Sequence, residues 1–133
     1  MRPNKMKNYD PMLELDSKQW DLLNEDERVG VVIKFHQEAG IELPDENIHA
    51  LLHVIVENQI VLGDETPVEA VLQRLIDESL DRHDAVHAIA YILADHMFEL
   101  LRGEDAAPGN DEYYADLEKL TAAKWQRGDY TEG

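Results

Sequence analysis

The 133-residue chain contains no cysteine. It therefore has no disulfide bond, no thiolate metal ligand and no thiol nucleophile. Basic residues are scarce, because 12 Lys and Arg stand against 29 Asp and Glu and leave a formal net charge of -17 at pH 7. A charge of this sign repels phosphate backbones and anionic lipid headgroups. The composition therefore predicts that neither nucleic acid nor a membrane surface is a partner.

Long apolar runs are also lacking. Residues 1–15 hold no stretch suited to a signal peptide, and histidine, glutamate and amide side chains interrupt the apolar segment 48–62. A membrane-spanning helix needs about 18 or more apolar residues. We therefore expect a cytoplasmic protein with one buried core. We expect an N-terminal extension at 1–15, a single helical domain at 16–126 and a mobile tail at 127–133.

Helix start and stop signals are frequent along the chain. Asn24 with Glu27 forms a capping box, Asp81 is placed to cap another helix, and Gly40 and Gly63 stand where helices end. No sustained period-two alternation predicts a strand. The sequence therefore predicts an all-α fold, a compact bundle of about five to six helices. The expected helices lie around 20–23, from 24 to near 40, at 46–62, from 67, at 82–102 and at 111–125.

The six histidines carry most of the chemistry that the sequence offers. On the third predicted helix, His49, His53 and Glu57 form one stripe at positions i, i+4 and i+8. On the fifth, His83 and His87 lie on the apolar side. Side chains four residues apart on a helix have β-carbons about 5–6 Å apart, so the two histidines of each H-x3-H pair can bind the same ion. Two such pairs and an aligned glutamate predict a metal site between these helices.

The spacing leaves the role of Glu57 open. Eight residues of helix separate His49 from Glu57 by roughly 12 Å, too far for both to bind one ion. Glu57 therefore joins His53 at a second ion, accepts a hydrogen bond from a ligand, or acts as a base. The predicted cofactor is a divalent transition metal, Zn, Fe, Ni or Mn. We expect His36 and His96 to be hydrogen-bonded core residues, and His36 also to be able to complete a coordination shell.

Two segments carry a family resemblance. The segment from His49 to Gln59, H-A-L-L-H-V-I-V-E-N-Q, and the segment from Asp81 to Ile89, D-R-H-D-A-V-H-A-I, resemble a family of small bacterial helical domains of unknown function. The resemblance covers roughly the middle half of the chain and leaves the N-terminal helices and the tail outside. It implies no activity. It implies that the characteristic positions are His49, His53, Glu57, Gln59, His83 and His87.

Two classes of function fit these observations. In the first, a metal-assisted hydrolase or redox protein, the ion is held by His49, His53, His83 and His87, and Glu57 is a ligand or a general base for metal-bound water. In the second, the chain is a noncatalytic acidic module that binds a protein partner or forms a homodimer. Its histidines and Glu57 would then form a closed hydrogen-bond network. A pocket beside the site favours the first class.

Overall fold

A computed structural model describes residue 6, residues 8–40, 46–101 and 111–127, with only the backbone for 98–101. Most of the described residues are helical and none of them forms a strand, which confirms the all-α prediction. None of the described helices is both long enough and apolar enough to cross a membrane. The helices are α1 (Ser17–Asp21), α2 (Glu25–Glu38), α3 (Glu46–Val61), α4 (Val68–Asp77), α5 (Arg82–Leu101), α6 (Asp111–Lys119) and α7 (Ala122–Arg127).

The predicted caps are present at several helix ends. Asn24 and Glu27 form both bonds of the capping box that opens α2, and the Asp81 carboxylate accepts a bond from the backbone amide of Asp84 at 2.7 Å. Gly40 and Gly63 both have positive φ, which a residue without a β-carbon adopts at no steric cost. Local signals alone therefore determine where α2 and α5 begin.

The segment predicted as one helix at 111–125 is two helices, α6 and α7. At the break, the Arg74 guanidinium of α4 donates to the carbonyls of Leu117 and Leu120 at 3.0 and 2.8 Å. The Glu78 carboxylate accepts from the backbone amide of Ala122 at 2.9 Å. These side chains satisfy carbonyl and amide groups at two helix ends, so a contact from α4 stabilises the interruption.

Helix α3 lies at the centre of the fold. It packs against α2, α4 and α5, while α6 packs against α4 and α5. Val56 and Ile60 belong to one apolar cluster with α4, α5 and α6, whereas Ala50 and Val54 belong to a second cluster with α1 and α2. A side chain on the α2 or α5 side of α3 is therefore enclosed by neighbouring helices.

Part of the expected N-terminal extension packs against the domain. Tyr9 is buried beside Trp20 in the second cluster, and the Arg82 guanidinium donates to the carbonyl of Pro11 at 3.0 Å. Of the expected tail at 127–133, Arg127 ends α7 and the other residues lie outside the described residues. The boundary predicted at Arg102 also lies outside them.

Candidate metal centre

Five of the six histidines meet where α2, α3 and α5 pack together. His36 comes from α2, His49 and His53 from α3, and His83 and His87 from α5. The centroids of neighbouring rings lie from 4.1 Å apart, between His83 and His87, to 6.2 Å apart, between His36 and His87. The i, i+4 spacing aligns each pair along its helix, and the packing of α3 against α5 brings the two pairs together.

The five rings share an unusual hydrogen-bond state. In each, the Nε2 atom is buried and has no hydrogen-bond partner among the described residues. His36 uses its other nitrogen, because Nδ1 lies 2.9 Å from the carbonyl oxygen of Val32 one turn earlier and so carries the proton in that bond. In the neutral form of this ring, the Nε2 atom is then an unprotonated acceptor.

Four of these histidines can reach one point. One ring nitrogen from each of His36, His49, His53 and His87 lies within 4.8 Å of the others. His83 is not in this group of four, but its ring lies 5.5 Å from that of His53 and it too presents an unpartnered Nε2. The arrangement is therefore a cluster of four converging imidazoles with a fifth alongside.

Burial favours the neutral form of four imidazoles, those of His49, His53, His83 and His87. Desolvation, with smaller repulsion from the neighbouring imidazoles, lowers the pKa of His49 to about 4 and that of His87 to about 3. The same two causes lower the pKa of His53, while burial and His36 lower that of His83 against the opposing carboxylates of Asp81, Asp84 and Asp10. The neutral ring is the form that binds a metal ion.

Glu57 lies one turn after His53 on α3, and its carboxylate is bonded to Arg82. Its two carboxylate oxygens accept bonds from the Arg82 guanidinium at 2.8 and 2.9 Å, and neither residue has substantial solvent access. Its Oε2 atom also accepts a bond from the Tyr9 hydroxyl. Glu57 is not among the four residues that converge, and its carboxylate is satisfied by Arg82 and Tyr9.

Tyr9 connects this ion pair to the histidine cluster. Its hydroxyl oxygen lies 3.3 Å from Nδ1 of His53 while its proton is donated to Glu57. Burial, together with the Glu57 carboxylate, raises the pKa of Tyr9, so the phenol keeps its proton. The hydroxyl can then accept the Nδ1 proton of His53, which leaves Nε2 of that ring as an unprotonated acceptor able to bind a metal ion.

A pocket of about 280 Å³ opens beside the cluster. His49 and His87 form one wall, and the rest is aliphatic or aromatic. Because both histidines belong to the converging group of four, the pocket gives a route from the surface to the cluster. The remaining lining residues are Leu52, Ala90, Tyr91, Ala94 and Trp125.

Two other singled-out residues lie elsewhere. His96 pairs with Asp116 of α6 through its Nε2 atom at 2.7 Å, so it is hydrogen-bonded as expected. It is only partly buried, so the expectation that it is a core residue was wrong. Gln59, a characteristic position in the resemblance, accepts a bond from the Tyr113 hydroxyl at 2.8 Å. Neither side chain belongs to the group of four.

Sequence reasoning left Tyr9 and Arg82 out of the site and gave His36 only a secondary part. Helical projection did predict that His36 points inward, and it is buried. Arg82 stands directly before His83, and no local pattern links it to Glu57, 25 residues earlier. Tyr9 lies 44 residues before His53. These partners meet only through tertiary packing.

The sequence model of a family described as "Domain of unknown function (DUF1841)" matches residues 19–119. This range covers more than half of the chain and all of α2, so our expectation that the N-terminal helices lie outside the resemblance was wrong. Neither a curated protein nor a solved structure matches the chain. The match includes all five clustered histidines, whereas Tyr9 precedes it.

Proposed function

The chain belongs to the DUF1841 family, a domain of unknown function, and we therefore propose from its own residues that it binds a divalent transition-metal ion between α2, α3 and α5. The ion is held by His36, His49, His53 and His87. His83 is available as a fifth ligand or as a replacement during ligand exchange. The bound ion would act as a Lewis acid or a redox centre.

The five unpartnered Nε2 atoms are the observation that supports this proposal most. Leaving one buried acceptor unsatisfied costs about 1–3 kcal/mol, so five together approach the whole net stability of a typical domain, about 5–15 kcal/mol. One ion satisfies most of these acceptors at once. A closed His/Glu hydrogen-bond network, as in the noncatalytic alternative, would instead pair these nitrogens with protein groups.

The geometry agrees with one ion after the side chains move closer together. Nitrogen ligands lie about 2.0–2.1 Å from Zn, so two of them on one ion are about 3.4 Å apart at the tetrahedral angle and at most about 4.2 Å apart on opposite sides. The four nitrogens lie within 4.8 Å of one another, so the widest pair must approach by roughly 0.6–1.4 Å, which rotation of both side chains can supply. Imidazole ligands without a carboxylate favour Zn, Fe, Ni or Cu over Mn.

In this proposal Glu57 is a positioning residue. Arg82 fixes the carboxylate, the carboxylate fixes the Tyr9 hydroxyl, and the hydroxyl orients His53 through Nδ1. Outer groups of this kind hold a metal-binding histidine in the correct tautomer and orientation. The assignment differs from a ligand or general-base role, because both oxygens of Glu57 are already bonded to Arg82.

Metal binding to untagged protein purified without chelator tests the proposal. We expect about one equivalent of metal by elemental analysis, and calorimetric titration of the stripped protein with Zn²⁺ should restore it. His53→Ala or His87→Ala should weaken binding at least about 100-fold. His96→Ala is the matched control and should leave the affinity unchanged, because His96 pairs with Asp116. Equal losses in all three variants, or no binding by the wild type, would contradict the proposal.

A further inference from the structure

The pocket beside the cluster meets the proposed ion through two of its ligands. His49 and His87 line the pocket, and each contributes a ring nitrogen to the converging group and has an unpartnered Nε2 atom. Their rings are half-buried, whereas those of His36 and His53 are buried. A molecule in the pocket therefore approaches the ion from the His49 and His87 side, where the protein encloses it least.

The walls of the pocket carry no formal charge. Apart from the two histidines they consist of aliphatic side chains from Leu52, Ala90 and Ala94 and the aromatic side chains of Tyr91 and Trp125. Among the described residues no lysine or arginine lines the pocket. The proposed ion is therefore the positive charge that an anion would meet there, and the net charge of -17 opposes the approach of an anion.

The size of the pocket limits what can enter. Its volume of about 280 Å³ exceeds that of an apolar cavity of about 150 Å³ that accepts benzene, and it is at the lower limit of about 300 Å³ for drug-sized pockets. One small ring with a short substituent fills it. A nucleotide or a peptide does not fit.

We infer that the pocket binds a small neutral molecule with an aromatic or aliphatic body and one donor atom directed at the ion. The inference rests on the proposed metal site and adds the class of its ligand. The apolar body packs between Leu52 and Trp125, and the donor atom points between His49 and His87. Affinity then comes from both the coordinate bond and the buried apolar surface.

Two imidazole probes separate these contributions. The Co²⁺-loaded protein is titrated at pH 8 with 4-phenylimidazole and with imidazole, which share the donor nitrogen, and the visible absorption bands of Co²⁺ are followed. We expect 4-phenylimidazole to bind about 10- to 100-fold more tightly, the advantage of burying one phenyl ring. Equal affinities would overturn the pocket inference and leave the metal site intact. Failure of Co²⁺ to bind would overturn both.

Filling the pocket gives the matched comparison. Ala94→Trp occupies the pocket, whereas Ala123→Trp adds the same side chain at an exposed position of α7. Ala94→Trp should abolish the phenyl advantage without changing Co²⁺ affinity, and Ala123→Trp should change neither. Trp125→Ala, which removes one wall, should reduce the advantage several-fold and serves where Ala94→Trp does not fold. An advantage that persists in both pocket variants would overturn the inference.

Discussion

Glu57 and Arg82 form a buried ion pair with two hydrogen bonds. The net contribution of such a pair to stability is small, because the Coulomb attraction mainly offsets the cost of removing both charges from water. Removing one partner is different, since the other charge then remains buried alone. Breaking the pair is therefore expected to lower the free energy of unfolding by more than the intact pair contributes to it.

We predict that Glu57→Gln lowers the free energy of unfolding by about 3–5 kcal/mol, because it strands the Arg82 guanidinium. The measurement is urea denaturation of metal-free protein. The double variant Glu57→Gln/Arg82→Met removes both charges and should recover part of the loss. The single variant Arg82→Met completes the comparison. If the loss in the double variant equals the sum of the losses in the two single variants, the pair is not energetically coupled.

The Tyr9 hydroxyl links the ion pair to His53. We predict that Tyr9→Phe weakens Zn²⁺ binding about 10-fold, because Nδ1 of His53 loses the acceptor that holds its proton. Calorimetric titration measures the change. Tyr113→Phe is the control, since it removes a hydroxyl bonded to Gln59, away from the cluster. A Tyr9→Phe affinity equal to that of the wild type would exclude the positioning role.

Histidine spacing predicted part of the candidate site, and long-range packing determined the rest. The i, i+4 pairs on α3 and α5 lie on inward faces, which a single-helix projection can determine. The addition of His36 to the group depends on how α2 packs on α3. The pairing of Glu57 with Arg82 joins side chains 25 residues apart. Single-helix periodicity contains no information on either contact.

Helix α4 ends in a motif with one strained residue. The amide of Leu80 donates to the carbonyl of Leu75 at 3.1 Å and that of Ser79 to the carbonyl of Ile76 at 3.0 Å, as in a Schellman cap. Ser79 sits at the position that glycine usually occupies, with φ of 98°. A side chain at such a φ costs energy that glycine avoids.

We predict that Ser79→Gly raises the free energy of unfolding by about 1 kcal/mol, because relief of the positive φ outweighs the greater freedom of glycine in the unfolded chain. Thermal or urea unfolding measures it. Ser17→Gly is the control, because Ser17 lies within α1, where glycine should be destabilising by about 0.5–1 kcal/mol. Destabilisation by both substitutions would contradict the assignment of strain to Ser79.

The starts of two helices were predictable from their caps. Asn24 and Asp81 open α2 and α5 as their side chains indicate, because a cap bonds to amides only two or three residues away. The division of the last helical segment was not predictable from local signals. It depends on Arg74 of α4 and on Glu78, the residue directly after α4, which contact residues more than 40 positions later.

Across the whole molecule, the histidine cluster makes stability depend on pH. The pKa values of His49 and His87 are about 4 and about 3 in the folded protein, below the unfolded value of about 6.5. Between the folded and the unfolded pKa values, the unfolded chain binds more protons than the folded chain. The two histidines therefore make their full contribution to stability above about pH 6.5, and this contribution is lost as the pH falls below that value.

We predict that chelator-treated protein loses more stability between pH 7 and pH 5 than the double variant His49→Gln/His87→Gln. The difference should be roughly 2 kcal/mol, a value reduced for the partial solvent access of both rings. Urea denaturation at each pH measures it. His96→Gln, which removes a histidine outside the cluster, is the control. Equal losses in the wild type and the double variant would contradict the lowered pKa values.

An ion held by His36, His49, His53 and His87 would also be a cross-link. It would tie α2 to α5 and close a loop on the order of 50 residues, the type of constraint that a disulfide imposes on an unfolded chain. The chain has no cysteine, so it cannot form such a tie covalently. Loss of the ion would therefore remove the tie between α2 and α5 in addition to the chemistry of the site.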